Sequence, residues 1–343
     1  MKKNKLTTIE GSLVIIVLSI LSFLLFLNIR KIFPEYFFFD NVMIRHFIEG
    51  IIIEPGTSYS NTAEFYRILG FSYDSSYITE ELFAWIIYVL TISLLYFKYK
   101  AIDFNFLNMT ILVFYTFFFG AFLAQMSKDL IISCLLCTYL IFDRKERKSS
   151  VLFLGIIFVF AITIRTYWFL ILFIMIILRM ILKIGTSFFR KVLLFLFAIF
   201  LIQFAYYQIT GEYLSGARFN VNVGRIDSKF ANTIILNPFV NSNIFTDFAN
   251  FIYGLLNIFI PINGLGSKNE IVYYVWMFIC VYSIIKFIRQ SDISVDKKNT
   301  IFLLFLFSFI VTQAFFEPDS GSMLRHQVPL IPIVFLVISS KQV

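Results

Sequence analysis

The chain predicts an all-α, polytopic membrane protein. Its architecture is a bundle of about ten transmembrane helices, both termini cytoplasmic, with two long extracytoplasmic loops near residues 30–81 and 210–270. Three observations carry this expectation. Hydrophobic residues make up 59% of the 343 and charged residues only 15%, too little polar surface for a soluble domain of this length. Apolar stretches of spanning length recur along the whole chain, and mean hydropathy is +0.84. Lys and Arg are also distributed unequally between alternate connecting segments.

The first apolar run, Leu13–Leu27, follows Lys2, Lys3 and Lys5 and so imitates a signal peptide. It is long for the apolar core of one and leads into Asn28-Ile29-Arg30-Lys31 without a small-residue cleavage pattern, which predicts an uncleaved first transmembrane helix. Spans are expected near residues 12–29, 82–97, 106–124, 130–142, 151–164, 167–182, 191–209, 271–288, 300–316 and 328–340. An even number places both termini on one side. If that side is cytoplasmic, the inner segments hold 18 of the 29 basic residues and six acids, for a net charge of +12. The outer segments then carry 11 basic and 15 acidic residues, net −4. This is the positive-inside pattern, and only Arg30 and Lys31 run against it. The overall charge of +8 is thereby a topological signal facing anionic lipid, with no nucleic acid implied.

Residues 30–81 hold eight acids, several Tyr and the turn signals Pro55-Gly56 and Ser75-Ser76. Residues 210–270 hold Gly211, Gly216, Gly224, Arg218, Arg225 and Lys229, then a Phe248–Ile260 stretch ended by Pro261. On a helix, Asp247, Asn250, Gly254 and Asn257 share one face, which fits a segment that lies at the outer interface or dips in and returns. No internal repeat, low-complexity linker or soluble domain stands out, so 1–343 reads as one membrane domain.

Ionisable groups among membrane helices need a reason. Four sets fall on the outer side. They are the turn Gln125-Met126-Ser127-Lys128-Asp129, Arg165 with Thr163, Thr166, Tyr167 and Trp168, the loop cations Arg218, Arg225 and Lys229, and the break holding Glu317, Asp319, Arg325 and His326. Each has a plainer explanation. Lys128-Asp129 suits a hydrated hairpin, Arg165 can snorkel to headgroups, and Arg218 and Arg225 suit a solvated loop. Pro318, Asp319, Ser320 and Gly321 suit a capped turn, although a turn alone needs no Glu, Arg and His.

Familiar nucleophile and cofactor signatures are missing from the sequence: no GxSxG, P-loop, HExxH or GxGxxG. Only His46 and His326 are present, which excludes a multi-histidine metal site. Cys134 and Cys137 have CxxC spacing without a second ligand pair and read as inert. Carboxylates plus cations remain, a set that removes a proton from a hydroxyl and stabilises a phosphate leaving group. The planar fork of Arg suits phosphate, and lipid-linked sugar diphosphates present that group at a membrane surface.

The Ser127-Lys128-Asp129 turn, Arg165 after an apolar run, and Glu317-Pro-Asp-Ser-Gly-Ser-Met-Leu-Arg325-His326 followed by Pro329 and Pro332 carry a family likeness. Set in a Phe- and Ile-rich many-spanning chain, they resemble the bacterial capsule or O-antigen repeat-unit polymerases (Wzy-like). The resemblance implies transfer of a growing glycan from undecaprenyl diphosphate to the terminal hydroxyl of an incoming lipid-linked unit. The reaction would occur at the outer face of the cytoplasmic membrane, with no cofactor, metal or nucleotide sugar. Flippase and chain-length regulator proteins are the implied partners. Mapped residue by residue, Lys128, Arg165, Arg218, Arg225 and Arg325 would bind diphosphate, and Glu317, Asp319 or His326 would be the base. The acidic, Tyr-bearing 30–81 segment would either contact sugars or act as a structural cap.

Two rivals stand beside it. A polyprenyl-phosphate-sugar-dependent glycosyltransferase shares the outer carboxylates and Arg but places an acid pair early, where this chain offers Asp40 alone, followed by Asn41, Arg45 and His46. A lipid-linked oligosaccharide flippase or another transporter would carry charges along the interior of several spans, which are nearly free of them here.

Overall fold

The computed structural model describes residues 8–143, 147–223, 234–260, 268–290 and 298–339. The N-terminal lysines, the basic residues 144 and 145, Gly224, Arg225, Lys229, Pro261, Lys297 and Lys341 lie outside the described residues. Among the described residues the protein is all-helical, and its one β contact is an isolated antiparallel bridge between Ile234 and Asp319.

The helices run α1 (Thr8–Leu27), α2 (Ile29–Ile32), a 3-10 turn at Glu35–Phe38, α3 (Phe39–Glu49), α4 (Ser58–Ile68) and α5 (Tyr77–Ser93), extended by a π turn to Lys98. There follow α6 (Phe106–Leu123), α7 (Lys128–Phe142), α8 (Arg147–Thr163), α9 (Trp168–Lys183), α10 (Phe188–Thr210) and α11 (Gly216–Val223). The last are α12 (Ile244–Phe259), α13 (Lys268–Gln290), α14 (Lys298–Phe316), α15 (Ser320–Gln327) and, after a 3-10 turn, α16 (Ile331–Ser339).

Five helical segments among the described residues are long and apolar enough to cross a membrane: Ile9–Leu27, Tyr77–Lys98, Phe106–Leu123, Phe188–Thr210 and Ser320–Ser339. Two further apolar helices are shorter: α7 has 15 residues and α9 has 16. At about 1.5 Å per residue they fall short of a hydrocarbon core about 30 Å thick.

The chain divides into two compact units, Met1–Trp168 with Arg325–Val343, and Phe169–Leu324. In the first, α1 packs on α5 and α6, α5 on α7, α7 on α8, and the Val328–Leu330 turn lies against α6 and α7. Phe26, Tyr88 and Phe119 form the aromatic centre, with Phe26 stacked on Phe119 at 5.7 Å. The opposite side of α1 leaves Leu13, Ile16, Val17, Ile20, Leu21 and Leu24 uncovered, a helical stripe that hydrocarbon can solvate.

Residues 30–81 are no open loop. Gly50 ends α3 in the left-handed region (φ +82), Gly56 turns the chain after Pro55 (φ +78), and Thr57 caps α4 by accepting from the Ser60 amide. The two short helices pack on each other. Arg30 is drawn into the same structure: it lies 3.7 Å from the centre of the Tyr77 ring and 3.6 Å from both Glu80 and Glu81.

In the second unit α12 packs against α10, α13 and α14, and α11 against α14. Its apolar and polar faces are inverted relative to a water-soluble helix. Phe245, Leu256 and Phe259 are exposed, whereas Asp247, Asn250, Gly254 and Asn257 are buried. Asp247 and Asn250 are both hydrogen-bonded. Asp247 accepts from Gln203 Nε2 (2.6 Å) and the Ser215 amide (2.9 Å), and Asn250 exchanges hydrogen bonds with the Phe239 backbone. A helix with lipid outside and polar neighbours inside has this distribution. At Gly254 a side chain would strike the Ala314 carbonyl and the Arg218 guanidinium. Gly254→Ala is therefore expected to destabilise the protein by about 1–3 kcal/mol, read as a lowered melting temperature in detergent; an unchanged melt would show that α12 and α14 are not in close contact.

Candidate functional site

The first unit brings several ionisable side chains together at the start of one helix. The focus is the start of α7, where the Ser127 hydroxyl oxygen accepts from the Leu130 amide and opens the helix. That cap presents Lys128 and Asp129 in the first turn, a position that favours the acid. Arg165 follows the end of α8, held by its own amide donating to Phe160 O (3.1 Å). Arg325 and His326 come from the last turn of α15, Asp40 from the first turn of α3, and Tyr59 from α4.

Asp129 is the hub. Its Oδ1 lies 2.9 Å from Arg165 Nη2, and its Oδ2 accepts from Arg325 Nε at 2.8 Å. Arg325 also donates through Nη2 to Asp40 Oδ2, while Asp40 Oδ1 accepts from the Tyr59 hydroxyl at 2.7 Å. Arg165 donates to the Tyr167 hydroxyl at 3.0 Å and lies 3.0 Å from His326 Nε2. Arg has no acceptor, so Nε2 accepts and the imidazole proton belongs on Nδ1. Asp129 Oδ2 stands 3.9 Å from the same Nε2.

The electrostatics follow from this geometry. Burial alone would raise the Asp40 carboxyl, but Arg325, the Tyr59 hydrogen bond and Lys128 outweigh it and hold it well below the ordinary range. Buried Asp129 is likewise held down, chiefly by Arg165. Burial and Asp40 push the Tyr59 phenol up, so it stays a donor. Burial brings the Lys128 ammonium down to about 8; Asp40 opposes this and Arg165 adds to it. It therefore carries charge at neutral pH and loses it as pH rises past that value.

Three cations thus meet two carboxylates. The carboxylates are taken by Arg165, Arg325 and Tyr59, and Lys128 Nζ sits 3.3 Å from the centre of the Tyr59 ring. Among the described residues it has no hydrogen-bond acceptor or ion-pair partner.

The other expected residues lie in the second unit or outside the described residues. Arg218 is fully buried and donates to the Ala314 carbonyl, while its Nε and Nη1 have no partner among the described residues. Burial lowers it to about 10, against the raising effect of Tyr253, Glu317 and Asp247. Glu317 is buried; its amide donates to Gln313 O at 3.0 Å. Asp319 accepts from the Ser322 amide (2.7 Å) and hydroxyl (3.0 Å), the cap that starts α15. The break between apolar segments is therefore short, because helix resumes at Ser320. Arg225 lies outside the described residues.

Asp40, Tyr59 and Asp129 enter the cluster without having been selected as site residues from sequence. One signal pointed to them. Buried cations need carboxylates, and Asp40 and Asp129 are acids beside the ends of apolar runs. No protein-family model, curated protein or solved structure matches the chain.

Removing one member of a buried ion pair leaves the other uncompensated, at a cost of about 3–5 kcal/mol. Asp40→Ala and Arg325→Ala are each expected to lower the melting temperature in detergent, and the double variant by less than the two together. Strict additivity would mean that the two side chains do not interact.

Proposed function

We propose that the protein polymerises lipid-linked oligosaccharide repeat units. A growing glycan passes from undecaprenyl diphosphate to the terminal sugar hydroxyl of an incoming unit. The anomeric C–O bond to phosphate breaks, a C–O bond to the acceptor forms, the acceptor proton moves to a base, and the diphosphate leaves with the negative charge. The setting is the outer face of a bacterial cytoplasmic membrane. The chain crosses that membrane about ten times with both termini inside, and a flippase and a chain-length regulator act beside it. The engagement of Arg30 by Glu80 and Glu81 supports this orientation, since Arg30 was one of the two cations that ran against it.

The observation that carries the proposal is the meeting of Lys128, Arg165 and Arg325, with Lys128 left against an aromatic face among the described residues. Such a site receives a diphosphate: Lys128 as a point charge, and Arg165 through its fork. When phosphate draws Arg165 away, the lone pair on His326 Nε2 is released to take the acceptor proton, with Asp129 beside it to stabilise the imidazolium.

One observation favours a second function, transfer of a monosaccharide from a polyprenyl phosphate. Asp40, the one acid that the sequence offers near the first span for that chemistry, lies within the cationic cluster rather than on a solvated loop.

Arg165→Ala, Arg325→Ala and His326→Ala are each expected to abolish polymer on an immunoblot of the producing cells while single repeat units still reach the lipid carrier. Full-length polymer in all three sinks the proposal.

A further inference from the structure

Behind the cluster lies a second, fully enclosed one. Glu80, in the first turns of α5, is buried, and its carboxylate ties α3 to the turn before α7. Its Oε1 pairs with Arg45; its Oε2 accepts from Asn41 Nδ2 and from the Met126 amide at 3.3 Å. Asn41 adjoins Asp40 on α3, and Met126 stands two residues before Lys128. Tyr66 grips the same turn from α4: its hydroxyl donates to Ser127 O (2.8 Å) and accepts from the Ser127 amide (3.0 Å). Ser127 is itself the cap that starts α7.

A salt bridge needed only for stability would join two side chains. Here one carboxylate and one phenol bind main-chain atoms of the turn that presents Lys128 and Asp129, and the carboxylate also binds the neighbour of Asp40. Resting on the diphosphate site proposed above, we infer that Glu80 and Tyr66 are positioning residues, which set the place of Lys128 and Asp129 relative to Asp40 and so govern the affinity of the site for a diphosphate. They touch no substrate and act through Lys128.

The test uses full-length protein in detergent, with inorganic pyrophosphate as the probe in calorimetric titration and melting temperature as the measure of folding. Tyr66→Phe keeps the ring and removes both hydrogen bonds. It is expected to weaken pyrophosphate binding about fivefold, the equivalent of one net hydrogen bond, in a protein that melts at a lower temperature but is still folded under the conditions of the titration. Glu80→Gln is expected to weaken binding at least as much. Adding Tyr66→Phe to Lys128→Ala should produce no further loss, because the phenol acts through that lysine. Wild-type affinity in Tyr66→Phe overturns the inference while leaving the diphosphate site standing, provided Lys128→Ala measurably weakens binding without eliminating it. Failure of the wild-type protein to bind pyrophosphate overturns both. If Glu80→Gln does not fold, Tyr66→Phe and the double variant decide the matter.

Discussion

The first unit depends on one guanidinium. Arg325 pairs with Asp40, 285 residues away in sequence, and with Asp129, 196 residues away. It thereby fastens the C-terminal segment to the first helical hairpin and to the start of α7. Taking such charges out of water is expensive, and their mutual attraction offsets the penalty only when each lone pair and proton is used. That condition is met closely here: Asp129 is shared between Arg165 and Arg325, and Asp40 between Arg325 and Tyr59. Lys128 is the member left without an acceptor among the described residues, and its environment is set by the pairs around it.

The aromatic content of residues 30–81 serves the same economy of charge. Tyr77 is a platform for Arg30 and Arg45, Tyr59 for Lys128, and Tyr66 is bound to the Ser127 backbone. These rings are committed to protein cations and main chain, which favours a structural cap for this segment over a surface built to stack on sugars. In the second unit, α12 shows a related solution: Asp247 and Asn250 are buried among polar partners while Phe245 and Phe259 face outward.

The long apolar helices were legible because run length and composition are local properties, and α1, α6 and α10 lie close to their expected bounds. α3 and α4 were not. Each has 11 residues, too few for an isolated helix in water, and each is held by packing on the other. The start of α15 was hidden by Ser320, Gly321 and Ser322, poor helix formers that Asp319 caps into place. Arg165, Arg325, His326 and Lys128 come together as one charged set, yet nothing in their spacing reports that Asp40 and Tyr59 join it. Nor does adjacency in sequence reveal that Glu317 and Asp319 belong to one unit while Arg325 and His326 belong to the other.

The central claim is that this cluster serves the joining of complete lipid-linked units. The most direct measurement is the mass of the sugars on the lipid carrier in cells from which the protein has been deleted. Accumulation of complete single repeat units is the predicted result. Accumulation of units lacking a sugar would contradict it and assign the protein to monosaccharide transfer instead.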